Sequence, residues 1–171
     1  FIPADTVTLA QKYWGLNTNK KSRFMSHIYS HKKETAGHRF RHDIADTINS
    51  FYPDLIKCGG SGSGEYLRDK GTLVAPFLYS IIIENSKYSH YFTEKILDCF
   101  ISGTVPIYWG SPSISKFFNH QGIIQFHDKG ELIEIIEMLK KDPITIYNDM
   151  YSHLISNYAL CKKYCYLDDL I

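Results

Sequence analysis

Two charged residues lie side by side at a predicted helix start, and their types suggest ligand chemistry. Glu94 and Lys95 follow a polar loop and open an apolar helix predicted from about Thr93 to Ser102. A lysine in a first turn opposes the helix dipole unless an anion lies nearby, and helix N-termini bind phosphate. A carboxylate beside phosphate is useful for accepting hydrogen bonds from sugar hydroxyls. The pair suggests a phosphorylated, hydroxyl-rich ligand, and a solvated lysine is the alternative.

Two arginines lie at the start of another predicted helix. Arg39 and Arg41 precede helically spaced apolar residues that run from Ile44 to Phe51. Positive charge at this helix end again favours a neighbouring anion. A solvated arginine pair is the alternative interpretation.

The elements that would position Glu94 and Lys95 form a βαβ unit. The apolar run Ile81–Ile83 turns polar at Glu84-Asn85-Ser86, which is typical of a strand buried on both faces of a parallel sheet. A second strand is predicted from Val105 to Trp109, after the helix. Because ligands bind at the carboxyl ends of parallel strands, we expect the polar residues to face a ligand.

The motifs of this unit resemble those of the α-1,3/4-fucosyltransferase family. The family signature reads roughly F-E-N-S, Y-[IVF]-T-E-K and G-x-[VI]-P-[IV]-x-x-G. In the same order and with the same gaps, this chain has Glu84-Asn85-Ser86, Tyr91-Phe92-Thr93-Glu94-Lys95 and a stretch from Gly103 to Ser113. Arg41, Ile44, Ile48 and Phe51 match a second family pattern, R-x-x-[FI]-x-x-x-[LI]-x-x-[YF]. One departure is Phe77-Leu78-Tyr79, which lacks the lysine of the usual Y-K-F triplet.

The resemblance implies a donor-binding domain. It covers roughly residues 21–150 and is similar to the C-terminal half of a GT-B enzyme that transfers fucose from GDP-fucose to a glycan hydroxyl. Transfer in the family is inverting and uses neither a catalytic metal nor another cofactor. The resemblance assigns Arg41 and Lys95 to the diphosphate, Asn85 and Tyr91 to the phosphates and sugar, and Glu94 to a hydroxyl of ribose or fucose. Glu84 belongs to the same donor-binding motif.

The resemblance also implies that a catalytic group lies outside these residues. Inversion needs a general base that takes the proton of the acceptor. In the family this carboxylate belongs to the N-terminal acceptor domain, and no residue here matches it. Glu84 is the nearest local candidate, but it lies in the donor motif. We expect GDP-fucose, a glycan acceptor and a missing N-terminal acceptor domain as partners. A first residue Phe1 fits a fragment or a processed chain.

Alternating strands and helices predict an α/β fold, a Rossmann-like doubly wound parallel sheet of about five strands. We predict a lead-in or linker at residues 1–20, the nucleotide-sugar binding domain at 21–150 and a C-terminal helical segment at 151–171. Tyr158, Leu160 and Tyr164 are expected to expose an apolar face to the missing partner. The glycine-rich loop from Gly59 to Gly64 follows a predicted strand, so its backbone is expected to approach the ligand.

Composition excludes several other classes of protein. The 171 residues, 44% hydrophobic and 22% charged, suit one α/β domain, and no segment approaches the ~20 apolar residues of a membrane span. A net charge of +1 with dispersed Lys and Arg gives no reason to expect nucleic acid. The cysteines lack zinc-site spacing, so no metal is expected. Cys161 and Cys165 are predicted to be thiols rather than a disulfide, because a bridge at that spacing along a helix is awkward.

Three alternative functions compete with the fucosyltransferase prediction. A GT-B transferase for another nucleotide sugar, such as GDP-mannose, would keep the phosphate-binding residues and change the sugar pocket. A non-catalytic sugar-nucleotide or carbohydrate-binding module would explain the missing base. A Rossmann domain for a different cofactor, such as a methyltransferase, needs a glycine-rich loop after the first strand, which SHIYSHKKE does not supply.

Overall fold

The computed structural model describes residues 21–165, and their centre is a five-stranded parallel sheet. The predicted lead-in at residues 1–20 lies outside the described residues. The strands are β1 Arg23–Ile28, β2 Ile56–Gly59, β3 Phe77–Ile83, β4 Val105–Trp109 and β5 Ile124–Gln125. The helices are α1 Ala36–Phe51, α2 Glu94–Ile101, α3 Lys129–Leu139 and α4 Pro143–Cys165. This confirms the predicted α/β, Rossmann-like doubly wound fold.

The order of the strands creates a crevice at one edge of the sheet. The strands lie in the order β2-β1-β3-β4-β5, and all neighbours are parallel. The chain therefore passes from β1 to β2 on one side and later to β3 on the other side. In such sheets ligands bind outside the carboxyl ends of the two strands where the order reverses. Here those strands are β1 and β3.

The core is built around β3, in which every residue is buried. Helices cover both faces of this strand, so its near-continuous apolar sequence is the expected pattern for a central parallel strand. From α2, the side chains of Ile96, Cys99, Phe100 and Ile101 are completely buried. Each large apolar side chain buried in this way stabilises the fold by about 1.5 to 3 kcal/mol.

Helix α1 begins earlier than the sequence suggested. Thr35 caps it: its Oγ1 accepts a hydrogen bond from the backbone N–H of His38 at 3.1 Å, and its own N–H donates to His38 Nδ1 at 3.3 Å. This is a capping box in which a histidine replaces the usual Glu or Gln. Arg39 and Arg41 consequently lie inside the helix, not before it, and Arg41 is in the second turn.

The first turn of α1 packs directly against the loop that follows β3. The backbone N–H of Gly37 donates to Asn85 O at 3.0 Å. A Cβ atom at Gly37 would lie 1.8 Å from Glu84 O, so no side chain fits at this position. This close approach joins the helix that carries Arg41 to the backbone of Glu84 and Asn85.

Helix α4 is continuous across the boundary predicted between residues 150 and 151. The ring of Tyr164 packs against Phe92 and Phe118, with centroid distances of 5.3 and 5.7 Å. Leu160 is partly buried against the core, and Tyr158 is also half-buried. The predicted exposed apolar face is therefore wrong, because this side of the helix covers an aromatic cluster.

Shorter elements complete the fold. The last strand contains two residues, Ile124 and Gln125. A 3-10 turn, Lys70–Leu73, provides the regular structure between the glycine-rich loop and β3. Cys161 is a buried thiol, as predicted, whereas the side chain of Cys165 lies outside the described residues. No helix within the described range is both long and apolar enough to cross a membrane.

Lys21 connects three segments at the edge of the sheet opposite the crevice. Its Nζ donates to Ala75 O at 2.8 Å, to Ser102 O at 2.8 Å and to Thr104 Oγ1 at 2.6 Å. Burial lowers the pKa of Lys21 to about 7. The three acceptors nevertheless match the three N–H groups of the ammonium form. The lysine thus ties the residues before β3 and β4 to the end of α2.

Candidate functional site

A cavity of about 320 Å³ opens at the carboxyl ends of β1, β2 and β3. Arg41, Glu94 and Lys95 line it, so the structure brings these three predicted site residues together. Its size is at the lower end of the range for ligand pockets, and its walls include several apolar side chains of β1 and β3. Two slightly larger hollows, of about 410 and 420 Å³, contain none of the predicted site residues.

Arg41 places a buried positive charge against this cavity. Its side chain is 5% exposed, Nε donates to Ile83 O at 2.7 Å, and Nη2 donates to Asn85 Oδ1 at 2.7 Å. A guanidinium has five N–H donors, and these bonds use two of them on uncharged acceptors. Burial lowers the pKa of Arg41, whereas the nearby Glu84, Tyr91 and Glu94 raise it. An arginine nevertheless stays protonated, so its remaining donors can bind an anion.

Asn85 extends the hydrogen-bonded chain from Arg41 to Tyr91. Its amide oxygen accepts from Arg41, and its side chain also hydrogen-bonds to the Tyr91 hydroxyl. Burial raises the pKa of Tyr91, and Glu84 and Glu94 raise it further. The phenol is therefore neutral at physiological pH and can donate or accept a hydrogen bond.

Glu84 lies behind the cavity and not in its wall. The side chain is fully buried. Oε1 accepts from the Thr93 N–H at 2.9 Å, and Oε2 accepts from Thr93 Oγ1 at 2.7 Å. A Cβ atom at Gly110 would lie 2.8 Å from Glu84 Cγ, so the residue that follows β4 closes the space on that side. Glu84 therefore holds Thr93 from behind the cavity, and its part in donor binding stays a prediction.

Lys95 and Glu94 form a chain of alternating charges at the start of α2. Lys95 Nζ lies 2.8 Å from Thr93 Oγ1, 3.4 Å from Glu94 Oε1 and 3.5 Å from Glu84 Oε2. Lys70 Nζ lies 4.0 Å from Glu94 Oε1 on the other side. Burial raises the pKa of Glu94, but Lys95 and Lys70 outweigh this effect, and the net shift is downward. The carboxylates therefore partly explain why a lysine is tolerated at the helix start.

Sequence reasoning missed part of the cavity wall. Tyr66, Leu67 and Lys70 line the cavity from a segment whose sequence shows neither helical nor strand periodicity. The one sequence feature that could have indicated this segment is its position directly after the glycine-rich loop. That loop reaches the cavity through Gly60 and Ser61. Gly60 has a φ of 99°, and a Cβ atom there would lie 2.4 Å from Tyr29 O.

Comparison with known proteins identifies the family. Residues 18–160 match the model of glycosyltransferase family 10 (fucosyltransferase), C-terminal part. The chain belongs to this family. A similar curated fucosyltransferase is the α-(1,3)-fucosyltransferase FucT of Helicobacter pylori, 35% identical over 103 residues, which are 58% of this chain and 21% of that protein. The α-(1,4)-fucosyltransferase of Arabidopsis thaliana is 25% identical over 121 residues, 67% of this chain and 30% of that protein.

Solved fucosyltransferase structures share the fold. An α1,3-fucosyltransferase with GDP-fucose superposes with a TM-score of 0.65 and 30% identity, covering 79% of this chain and 40% of that chain. An α1,3-fucosyltransferase with GDP gives a TM-score of 0.64 and 28% identity, covering 85% and 47%. The fucosyltransferase domain described above therefore corresponds to one half of a GT-B architecture. The chain spans less than half the length of these relatives.

The described fucosyltransferase domain contains no candidate metal centre. Between residues 21 and 165, no group of three or more His, Cys, Asp or Glu side chains lies close enough together to hold an ion. Of the predicted site residues, Arg41, Glu94 and Lys95 line the cavity. Asn85 and Tyr91 do not line it but are joined to Arg41 by hydrogen bonds, and Glu84 lies behind.

Proposed function

We propose that this chain is the GDP-fucose-binding part of a fucosyltransferase. Arg41 is the observation that carries the proposal: a cation lines the cavity although its side chain is almost completely buried. Its two hydrogen bonds within the described chain go to uncharged oxygens. A buried charge that is hydrogen-bonded only to uncharged groups costs several kcal/mol, which a bound diphosphate would offset. The similarity to structures solved with GDP and GDP-fucose supports the same class of ligand.

The proposal gives each residue of the site a role. Arg41 and Lys95 bind the diphosphate and stabilise the negative charge that develops as GDP leaves. Asn85 and Tyr91 hold the phosphates and the sugar through the hydrogen-bonded chain that begins at Arg41. Glu94 accepts a hydrogen bond from a hydroxyl of ribose or fucose. Glu84 keeps Thr93 and Lys95 in place.

The transfer that we propose is inverting and independent of a metal ion. The acceptor oxygen forms a bond to C1 of fucose as the bond from C1 to the diphosphate oxygen breaks. The acceptor proton passes to a base outside this chain, and GDP carries away the electron pair of the broken bond. Arg41 and Lys95 supply positive charge at the leaving group, where many other nucleotide-sugar enzymes use a divalent cation.

A non-catalytic nucleotide-sugar binding module is the second candidate. It is supported by the state of the carboxylates at the site, since Glu84 is fully buried and Glu94 lies between two lysines. Neither carboxylate is exposed in the way that a general base for the acceptor requires. This alternative predicts the same binding of GDP and GDP-fucose, but no transfer by any longer protein that contains the chain.

Calorimetric titration with GDP, GDP-fucose, GDP-mannose and UDP tests the proposed ligand. We expect GDP and GDP-fucose to bind, GDP-mannose to bind less tightly than GDP-fucose, and UDP to bind most weakly. Arg41→Ala should weaken GDP binding about 10- to 100-fold, the scale for a hydrogen-bonded charge.

Arg39→Ala is the matched control for Arg41→Ala. Arg39 lies two residues away on the same helix, is exposed, and donates to Lys33 O and Glu34 O outside the cavity. Its loss should leave GDP binding unchanged. Equal losses for the two variants, or no GDP binding by the folded wild-type chain, would contradict the proposal.

A further inference from the structure

His27 is a fully buried histidine that contacts two of the elements around the site. It belongs to β1 and pairs in register with Ile81 of β3. Its ring Nε2 lies 3.0 Å from the backbone oxygen of Arg41, and Nδ1 lies 3.4 Å from Ile81 O. The imidazole therefore lies between α1 and the central strand, directly beneath the residue that carries the buried charge.

The two distances indicate which nitrogen carries the proton. A neutral imidazole has one N–H, and its other nitrogen is a hydrogen-bond acceptor. A proton on Nε2 gives a hydrogen bond to Arg41 O at the shorter distance. The other tautomer would place the lone pair of Nε2 against a lone pair of Arg41 O, with the two atoms 3.0 Å apart. Burial lowers the pKa of His27 to about 4, so the ring is neutral near physiological pH.

Arg41 is consequently held from two directions. His27 binds its backbone oxygen from β1, and Ile83 O accepts from its side-chain Nε on β3. These are the two strands between which the crevice opens. The position of the guanidinium depends on how α1 sits against the sheet, and the His27 bond fixes this position at the residue itself.

The same ring also contacts an aromatic side chain of the cavity wall. His27 stacks on Tyr29, with a centroid distance of 5.5 Å and an interplanar angle of 11°. Tyr29 in turn makes an edge-to-face contact with the ring of His42 on α1, with a centroid distance of 5.1 Å. A second contact path therefore joins β1 to the helix next to Arg41.

We infer that His27 is a positioning residue for the diphosphate site, because its Nε2–H holds the backbone of Arg41 and thereby aims the guanidinium into the cavity. The inference rests on the proposed binding of a guanosine diphosphate. His27 does not contact the ligand. Its loss should therefore weaken the interaction with phosphate and leave the interaction with the nucleoside unchanged.

Two substitutions separate the hydrogen bond from the packing of the ring. His27→Phe keeps an aromatic ring that can stack on Tyr29 but has no donor. His27→Gln keeps an N–H donor close to the position of Nε2. His27→Asn, whose shorter amide cannot reach Arg41 O, replaces the phenylalanine variant if that variant does not fold by circular dichroism.

Dissociation constants for GDP and for guanosine provide the readout, measured for each variant by calorimetry. We expect His27→Phe and His27→Asn to weaken GDP binding about 3- to 10-fold, the range for one lost hydrogen bond, with guanosine binding within about twofold of wild type. His27→Gln should restore most of the GDP affinity. In an Arg41→Ala background, His27→Phe should have no further effect on GDP.

The outcomes separate this inference from the proposed function. Parallel losses for GDP and guanosine would show general damage to the fold and would overturn the positioning role. An unchanged GDP affinity in His27→Phe, with a clear loss in Arg41→Ala, would also overturn it while leaving the proposed function intact. Absence of GDP binding by the wild-type chain would overturn both.

Discussion

Lys95 is already paired before a ligand arrives, which changes what it can contribute to binding. Its Nζ lies between the carboxylates of Glu84 and Glu94 at 3.5 and 3.4 Å. A phosphate must therefore compete with these carboxylates for the ammonium group. Arg41 differs because its described hydrogen bonds use only uncharged acceptors. We expect Arg41 to contribute more to diphosphate binding than Lys95.

Lys95→Ala should weaken GDP binding by about 1 to 3 kcal/mol, the scale for a charge-assisted contact to phosphate. The existing carboxylate pairs place the expected loss in the lower part of this range. Calorimetry with GDP measures it, and Lys141→Ala is the control because Lys141 is an exposed lysine beyond the end of α3. An unchanged affinity in Lys95→Ala would remove Lys95 from the phosphate site.

Glu94→Gln tests which sugar hydroxyl the carboxylate binds. The substitution keeps the shape of the side chain and removes its charge, which weakens its acceptance of hydrogen bonds from hydroxyls. Equal losses of affinity for GDP and GDP-fucose indicate the ribose, whereas a larger loss for GDP-fucose indicates the fucose. The two dissociation constants should be measured side by side. If neither changes, Glu94 serves only to pair Lys95 and Lys70.

At the scale of elements, the sequence predicted the parts whose patterns are local. The carboxyl end of β3, the helix that begins at Glu94 and the strand from Val105 to Trp109 were predicted close to their observed bounds. The start of α1 was misplaced because a histidine completes its capping box. The burial of Glu84 and the cavity wall at Tyr66 could not be predicted, since both depend on contacts between segments distant in sequence.

Gly37→Ala should destabilise the domain and weaken GDP binding together. A Cβ atom would collide with Glu84 O, so α1 would have to move away from the β3 loop, at a cost of about 1 to 3 kcal/mol. Gly130→Ala is a matched control at the same helical position in α3, where the nearest atom, Asp128 Oδ1, lies 3.2 Å away. That variant should be neutral or slightly stabilising. Urea unfolding and GDP titration of both variants test the close packing of α1.

The lowered pKa of His27 predicts that acid reduces the stability of the folded chain. Its pKa is about 4 in the folded chain and 6.5 when unperturbed. Between these values the unfolded chain binds a proton that the folded chain does not, so stability falls as the pH falls from 6.5 towards 4. The loss reaches about 3 kcal/mol below pH 4. Urea unfolding from pH 7 to pH 4.5 should show a steeper decline for wild type than for His27→Gln. Superimposable declines would contradict a neutral buried ring.

At the scale of the whole molecule, the proposed function makes the chain one side of a two-domain cleft. It covers 40% of the α1,3-fucosyltransferase solved with GDP-fucose. A GT-B enzyme binds its donor and acceptor between two domains, and the base that we propose lies outside these residues. Affinity for the donor should also be lower than in a closed cleft, because part of the ligand stays exposed.

The 171-residue chain should therefore bind GDP and GDP-fucose weakly and transfer no fucose. Incubation of the purified chain with labelled GDP-fucose and with lactose or N-acetyllactosamine-type acceptors tests this expectation. Calorimetry on the same preparation shows that the donor site is intact. Repeated turnover would mean that the chain contains its own base, and the two-domain argument would then be wrong.

The three hydrogen bonds of Lys21 to Ala75, Ser102 and Thr104, here called the Lys21 clamp, bear on how the chain folds. Its bonds join residues separated by 54, 81 and 83 positions, so they act as non-covalent cross-links over much of the domain. The entropy of closing loops of this length must be overcome before such contacts stabilise anything. All three bonds can therefore form together only when the segments that flank β3, α2 and β4 are in their native positions.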